Sequence, residues 1–336
     1  MAYPSGVKAL IIAPAWVGDM VMAQPLLQLL VTREPNLDIH VAAPSATAAL
    51  STRMLEVNEV HTFELGHGEL NVRKRLAFGR RLREHKFDVA YVLPNSWKSA
   101  LVPLIAGIER RVGWHGEARY MLLNDRRRLN AQVYPLMVER LMALASPEGN
   151  LPAKPYPSPI LQPNPENLAR CLEAFSLSAE NVTVLCPGAE FGAAKKWPAE
   201  HYADVARAIL AAGQQVWLMG SPKDVDDCAK IAQLAPGAQN LAGHTTLLDA
   251  LDLLSVVDRV VCNDSGLMHV ACAVGRPTIG IFGSTSPQFT PPLGEAAVVV
   301  EQTLDCRPCF QRTCPLGHLD CLRTLSPHTI LQHLDL

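Results

Sequence analysis

Residues 259–284 read RVVCNDSGLMHVACAVGRPTIGIFGS, and this stretch decides the fold class. The apolar runs at its two ends predict buried strands, and the segment between them predicts a helix that ends at Gly275. Two such strands joined by a helix indicate a parallel βαβ unit. Polar residues follow the first strand, at the end where an open parallel sheet binds its ligands.

The same alternation of strand and helix patterns extends along most of the chain. The first half contains the strand patterns VKALIIA, DIHVAAP, EVHTFEL and DVAYVLP, and the second half starts again with NVTVLCP and QQVWLMG. The proline-rich segment 147–166 between the halves suits neither a central strand nor a helix interior. We therefore predict an α/β protein of two doubly wound, Rossmann-like domains, 1–160 and 161–336, facing one another across a cleft. The last helix is a candidate for packing back on the first domain.

Composition limits the class of protein. The 336 residues are 49% hydrophobic and 18% charged, no apolar run reaches the roughly 18 residues of a membrane span, and the N-terminus lacks a secretory signal pattern. We expect a cytoplasmic protein. Residues 1–150 carry 18 basic and 14 acidic side chains, against 12 and 18 in residues 151–336. The basic excess in residues 1–150 has two interpretations. The basic side chains belong to solvated helix faces, or they form a surface for an anionic partner such as phospholipid headgroups.

Three predicted strand ends of the second half carry polar groups. LCPGAEFGAAKKWP (185–198) combines a Gly/Ala-rich loop with two lysines, and backbone N–H groups with an ammonium suit a diphosphate. The alternative for this loop is an ordinary βα connection with solvated lysines. The segments NDSGLMH (263–269) and FGSTSP (282–287) contain the other two polar strand ends. The candidate ligand-binding residues at these strand ends are Gly188, Ala189, Lys195, Asp264, Ser265, Gly266 and His269.

The first predicted strand ends differently, in APAWVGD, with Asp19 at the start of the following helix. The stretch lacks the G-x-G-x-x-G pattern of a dinucleotide site. Asp19 is explained as a helix N-cap, which Asp favours. The alternative is a general base that faces a cleft, since a carboxylate repels phosphate at such a turn.

Four of the nine cysteines cluster near the C-terminus, at Cys306, Cys309, Cys314 and Cys321. In the spacing C-x2-C-x4-C-x6-C, the first two cysteines match one half of a zinc-site pattern. The last two cysteines are farther apart than the second pair of ligands in a zinc finger. An inert or redox-labile loop and a structural zinc site are the two interpretations.

These segments, with YVLPNSWKSALVP and GWHGEARYMLLND, resemble the ADP-heptose:lipopolysaccharide heptosyltransferases over nearly the whole chain. The resemblance implies the glycosyltransferase B architecture and transfer of heptose, with inversion, from ADP-heptose to the first heptose of the Kdo–lipid A inner core. It also implies that the C-terminal domain binds the donor and the N-terminal domain binds the acceptor, heptosyl-Kdo2-lipid A. The protein would then work at the cytoplasmic face of the inner membrane, without a nucleic-acid partner.

The resemblance also implies residue roles. Asp19 matches the acidic residue proposed as general base, and Lys195 matches the lysine at the donor phosphate or sugar. Asp264 matches the acid near the heptose hydroxyls, and Thr245 in GHTTL (243–247) matches a contact near the adenine. Ser265, Gly266 and His269 would line the diphosphate. The residue that contacts the ribose is left unassigned.

No cluster of acidic residues in the sequence has the spacing of a divalent-metal site. We therefore expect the chemistry to require no metal and no cofactor. Two other functions stay open from the sequence. One is a glycosyltransferase of the same fold with another nucleotide-sugar donor, because fold alone does not define the substrate. The other is a non-catalytic, two-lobed sugar-nucleotide-binding protein.

Overall fold

The computed structural model describes residues 6–64, 71–146, 151, 154–334 and 336. The chain divides into two compact units, Met1–Ser158 and Pro159–Leu336. Each unit is built around one six-stranded sheet in which every neighbouring pair of strands is parallel. The predicted α/β class with parallel sheets is confirmed.

The sheet of the first unit has the order β3-β2-β1-β4-β5-β6. The chain therefore adds strands on one side of β1 and then crosses to the other side, so the switch point lies between β1 and β4. In chain order the elements are β1 (Lys8–Ile12), α1 (Val17–Arg33), β2 (Asp38–Ala43), α2 (Ser45–Ser51), β3 (Glu59–Thr62), α3 (Val72–Leu82), a 3-10 turn (Arg83–His85), β4 (Val89–Val92), α4 (Trp97–Ile105), β5 (Arg110–Trp114), β6 (Asp125–Arg127) and α5 (Met137–Ala145).

The second sheet repeats this plan with the order β12-β11-β10-β7-β8-β9 and a switch point between β7 and β10. Its elements are α6 (Pro165–Ala174), β7 (Val182–Cys186), α7 (Ala199–Ala211), β8 (Gln215–Leu218), α8 (Val225–Leu234), β9 (Gln239–Asn240), α9 (Leu247–Leu254), β10 (Arg259–Asn263), α10 (Gly266–Ala273), β11 (Thr278–Phe282), β12 (Ala297–Glu301), α11 (Asp320–Arg323) and α12 (Pro327–Leu331). Short 3-10 helices cover Ala193–Lys195 and Pro222–Asp224.

The central strands are buried on both faces, which explains their unbroken apolar sequences. Every residue of β4, β7 and β11 is buried, as expected of parallel strands covered by helices on both sides. The helices end where the sequence predicts at Gly213 and Gly275, whose φ angles are +77° and +76°. Glycine adopts this left-handed conformation without a steric penalty, so the chain can turn there into the next strand.

Three features differ from what the sequence pattern indicates. The end of the proline-rich segment forms α6, because Asn164 caps the helix and Pro165 occupies its first position, where a missing N–H costs nothing. The last helix, α12, packs against α7, and Ile330 lies in the core of the second unit. Arg75, which belongs to a basic run with Arg73 and Lys74, is buried and its guanidinium contacts the carbonyl of Lys98.

Within the described ranges, no helix is both long enough and apolar enough to cross a membrane.

Candidate functional site

The best-defined polar site lies at the switch point of the second sheet. Lys195, in the loop after β7, and Asp264, directly after β10, form an ion pair with 2.6 Å between Nζ and Oδ2. The lysine also donates to the Asp264 carbonyl oxygen at 3.2 Å. The two side chains are only 13% and 3% exposed. The structure thus brings together two residues that the sequence proposed separately.

The strand next to β10 adds a third group. Thr285, in the turn after β11, donates its hydroxyl proton to Oδ2 of Asp264 at 2.6 Å. One carboxylate oxygen therefore accepts from both an ammonium and a hydroxyl, and hydrogen bonds to a charged acceptor are the strong ones. Lys195 Nζ also lies 5.1 Å from the centre of the Phe191 ring, within the range of a cation–π contact. Asp264 is therefore fixed by two hydrogen-bond donors, and Lys195 also contacts the Phe191 ring.

Asn263 connects this pair to the loop after β7. Its amide donates to the carbonyl of Pro187 at 2.6 Å, and its oxygen accepts from the Trp197 backbone N–H at 3.2 Å and the Tyr202 hydroxyl at 3.1 Å. Asn263 is fully buried, so losing any of these bonds leaves an unsatisfied polar group at a cost of about 1–3 kcal/mol. The Gly/Ala-rich loop is consequently held at both ends against β10.

The helix after Asp264 begins as predicted, with Ser265 as N-cap and Gly266 as first residue. The Ser265 side chain makes no capping hydrogen bond. His269, on the first turn, is 4% exposed, and its Nδ1 has no hydrogen-bond partner among the described residues. Burial lowers the pKa of His269 to about 4, and the neighbouring Asp264 opposes this only partly. The imidazole is therefore neutral at physiological pH and offers a hydrogen-bonding group beside the ion pair.

Gly188 and Ala189 leave β7 beside a residue that the sequence left unassigned. A side-chain carbon at Gly188 would come within 2.4–2.7 Å of the Asp224 carboxylate, so only glycine fits. Ser221 and Lys196 both bond to Asp224, with Oδ2 accepting from the serine at 2.7 Å and Oδ1 lying 3.3 Å from the lysine Nζ. The acid-rich sequence after β8 is the signal that could have identified Asp224. Ala189 is buried.

Thr245 lies apart from the ion pair, in the loop after the edge strand β9. It is half-buried and precedes Thr246, which caps α9 through the backbone N–H of Asp249. Because β8 separates β9 from β7, Thr245 is at the same edge of the sheet as Lys195 and two strands away. This position is compatible with contact to a distal part of an extended ligand.

Asp19 belongs to the first unit, in the loop-to-helix turn after β1. The helix N-cap is Trp16, and Asp19 is the third residue of α1, so the interpretation of Asp19 as N-cap is wrong. A carboxylate in the first turn still interacts favourably with the helix dipole. Asp19 lies at the carboxyl edge of the sheet, near the switch point between β1 and β4.

The four clustered cysteines line one pocket together with His318 and Ala194, and none forms a disulfide. The thiol of Cys314 has a lowered pKa because backbone N–H groups, first that of Leu319, donate to its sulfur. The structural-zinc hypothesis for Cys306, Cys309, Cys314 and Cys321 stays a prediction.

The same segment supplies Arg307, which sequence reasoning missed. Its guanidinium donates to the carbonyls of Gly283 at 2.6 Å and Thr285 at 3.1 Å. The segment thereby supports the turn that carries the Thr285 hydroxyl.

Comparison with known proteins finds relatives that match nearly the whole chain. The model of glycosyltransferase family 9 (heptosyltransferase) matches residues 75–320. The chain is 44% identical over 340 residues to lipopolysaccharide heptosyltransferase 2 of Escherichia coli K12, covering 98% of this chain and 97% of that protein. It is also 44% identical to lipooligosaccharide heptosyltransferase 2 of Haemophilus influenzae, with 87% of each chain covered. The solved structure of E. coli ADP-heptose LPS heptosyltransferase II superposes with a TM-score of 0.87 at 42% identity, covering 98% of both chains.

The two doubly wound units, the superposition and the family match identify a glycosyltransferase of the B architecture. More narrowly, the chain belongs to glycosyltransferase family 9, the heptosyltransferases.

The low pKa of His269 predicts a pH dependence of stability. The unfolded chain takes up a proton at this residue near pH 6.5, whereas the folded chain does so only near pH 4. The contribution of His269 to the free energy of unfolding therefore falls as the pH is lowered through this window, by about 1–2 kcal/mol between pH 6.5 and pH 5. Urea denaturation should show this loss in the wild type and a smaller one in His269→Gln. His115→Gln, at an exposed site, is the control, and parallel curves for all three proteins would contradict the pKa assignment.

Proposed function

We propose that this protein transfers L-glycero-D-manno-heptose from ADP-heptose to the first heptose of the Kdo–lipid A inner core of lipopolysaccharide. An acceptor hydroxyl oxygen attacks the anomeric carbon of the donor heptose. The bond from that carbon to the diphosphate oxygen breaks, ADP departs, and the hydroxyl proton passes to a general base. Attack opposite the leaving group inverts the anomeric configuration.

The observation that carries this proposal is 44% identity, over nearly the whole length of both chains, to an enzyme named lipopolysaccharide heptosyltransferase 2. The solved structure of an ADP-heptose LPS heptosyltransferase II, at 42% identity, supports the same donor. The geometry of the second sheet adds a physical argument. A cation at a switch point, beside a loop rich in small residues, suits a nucleoside diphosphate.

In this proposal the second unit binds the donor. Lys195 moves to the diphosphate and balances the charge that develops on the departing ADP. Asp264 accepts hydrogen bonds from the heptose hydroxyls. The remaining proposed donor contacts are backbone or small polar groups along the same sheet edge, at Gly188, Ala189, Thr245, Ser265, Gly266 and His269. Charge stabilisation of this kind is often the largest single contribution to catalysis, and the scheme requires neither a divalent metal nor a cofactor.

Asp19 is the proposed general base, in the unit that would bind the acceptor. Its place in the first turn of α1, at the carboxyl edge of the first sheet, supports this role. General-base assistance typically contributes 10²–10⁴-fold in rate.

A donor panel tests the proposed reaction. ADP-L-glycero-D-manno-heptose, UDP-glucose and GDP-mannose are incubated in turn with heptosyl-Kdo2-lipid A and the enzyme. Mass spectrometry should detect addition of one heptose from the ADP-sugar alone. Comparable transfer from a UDP- or GDP-sugar would identify a different glycosyltransferase of the same fold. Tight ADP-heptose binding without any transfer would indicate a binding protein.

Two substitutions separate the proposed roles of base and diphosphate ligand. Asp19→Asn keeps the size of the side chain and removes the proton acceptor, so kcat should fall by roughly 10² or more while donor affinity stays near the wild-type value. Lys195→Gln keeps a hydrogen-bond donor for Asp264 and removes the charge, so it should weaken ADP-heptose binding and lower kcat together.

Steady-state kinetics and donor titration calorimetry on both variants provide the measurement, with melting temperatures to show that the fold is kept. A near-normal kcat in Asp19→Asn would refute the assignment of Asp19 as the general base. A change confined to acceptor kinetics in Lys195→Gln would refute the assignment of the donor to the second unit.

We also propose that the basic first unit meets the anionic acceptor and the inner-membrane surface. Arg73 and Lys74 are exposed on α3. Met121 is exposed next to Tyr120, and the guanidinium carbon of Arg126 lies 4.5 Å from the centre of the Tyr120 ring. Exposed apolar side chains among cations suit an anionic lipid surface.

Co-sedimentation with anionic phospholipid vesicles tests this surface. A juxtamembrane Lys or Arg contributes about 1 kcal/mol, so Arg73→Gln combined with Lys74→Gln should weaken binding about 30-fold at low salt. Arg323→Gln, at an exposed position of the second unit, should leave it unchanged. Equal vesicle binding by the double variant and the wild type would exclude this face as the membrane contact.

A further inference from the structure

Three histidines and one glutamate converge in the first unit, away from the residues discussed so far. His40, Glu59, His61 and His85 each offer one nitrogen or oxygen atom, and these four atoms all lie within 4.8 Å of one another. Within the described ranges, no other group of three or more His, Cys, Asp or Glu side chains meets this criterion. We refer to these four residues as the histidine cluster.

The fold brings the histidine cluster together from three separate segments. His40 of β2 pairs in register with Glu59 of β3, and Glu59 and His61 share a face of β3 because side chains alternate along a strand. His85 ends the 3-10 turn that follows α3. The ring of Phe87 closes one side, with its centre 5.0 Å from that of His40 and 5.6 Å from that of His85.

The distances within the cluster fit a tetrahedral metal ion. His40 Nδ1 lies 2.9 Å from His61 Nε2 and 3.4 Å from Glu59 Oε2, and His85 Nδ1 lies 3.9 Å from the same carboxylate oxygen. Zinc bonds to nitrogen and oxygen of about 2.0–2.1 Å, arranged tetrahedrally, separate the ligand atoms by about 3.3 Å. These three separations bracket this value, and no separation among the four ligand atoms exceeds 4.8 Å, so side-chain movements that shorten the longer separations would complete the geometry.

A second carboxylate orients the most buried histidine. Asp38 Oδ1 lies 3.2 Å from Nε2 of His40, so a proton on Nε2 is donated outward and the lone pair of Nδ1 faces the cluster. Carboxylate–histidine–metal chains of this kind position the ligands of many zinc sites.

The nearby cations have other partners. Lys8 Nζ lies 3.3 Å from Asp38 Oδ2. The Arg81 guanidinium lies over the Phe78 ring, 5.0 Å from its centre, and donates to the carbonyl of Thr62 at 3.5 Å. Glu59 therefore faces the three imidazoles, and a dication would be held by three imidazoles and one carboxylate.

We propose that His40, Glu59, His61 and His85 form a structural binding site for Zn²⁺. The donor set of three imidazoles and one carboxylate suits this ion. The ion would join the edge strand β3 to β2 and to the turn that precedes β4. Because β3 has only four residues and one neighbouring strand, this cross-link would stabilise one edge of the first sheet.

Metal binding by the chelator-treated full-length protein tests the proposal. Zn²⁺ affinity is measured by competition with a chromophoric chelator, and stoichiometry by elemental analysis. His85→Gln should lose the site, with at least tenfold weaker binding, and Asp38→Asn should bind 10–100-fold more weakly. Zn²⁺ should raise the melting temperature of the wild type and not that of His85→Gln. Because His85 is half-buried, His85→Gln could destabilise the fold. Glu59→Gln changes a more exposed ligand and is the second variant, to be used if His85→Gln misfolds.

Two controls separate this site from the cysteine-lined pocket. Cys309→Ser should keep the histidine-cluster site, and His115→Gln, at an exposed histidine, should behave as the wild type. With Co²⁺ in place of Zn²⁺, the site lost in His85→Gln should show the visible bands of tetrahedral nitrogen and oxygen ligation without a thiolate charge-transfer band. Binding that Cys309→Ser abolishes and His85→Gln leaves intact would overturn the proposal, as would no binding at micromolar Zn²⁺.

Discussion

The buried amide of Asn263 is the interaction on which the candidate site depends. It joins the end of β10 to the carbonyl of Pro187 and to the backbone of Trp197, so the loop that carries Lys195 is fixed at both ends to the strand that carries Asp264. Both strand ends meet because β7 and β10 are paired in parallel across the switch point. A carboxylate at this position could not make both kinds of bond, because it only accepts hydrogen bonds. The apolar packing of β7 and β10 and the polar chemistry above them are therefore coupled through one residue.

Much of this arrangement could be predicted from local sequence. Unbroken apolar runs such as TIGIF indicate strands buried on both faces, and glycines such as Gly275 mark helix ends because few other residues tolerate a positive φ. The polar strand ends were predicted to converge, and Lys195 and Asp264 do so. That they form a direct ion pair with each other was not predictable, because periodicity locates residues on elements and does not give distances between loops.

The features that the sequence did not reveal depend on contacts between distant segments. The helix-start signal at Asn164 and Pro165 was overlooked within the proline-rich stretch. The position of α6 against α9 was not predictable, since it depends on Asn167, which donates to Asp249 at 3.0 Å and to Asp252 at 2.7 Å. Arg75 belongs to a run of cations that suggests a solvated face, and its burial follows from the position of Lys98 on a separate helix. Asp19 was interpreted as a cap from residue type, whereas the start of α1 at Val17 places it within the first turn.

The Lys195–Asp264 pair has a consequence for the proposed reaction. Two charges that are 13% and 3% exposed have lost most of their hydration, and removing one partner would leave the other uncompensated at a cost of about 3–5 kcal/mol. A diphosphate can therefore attract Lys195 only if Asp264 gains new donors at the same time. Thr285 already supplies one at 2.6 Å, and the hydroxyls of a bound sugar would supply others. A nucleotide that lacks the sugar offers no such replacement, so the exchange favours the complete sugar nucleotide over the free diphosphate. The ion pair thus acts as a selectivity element in the proposed mechanism.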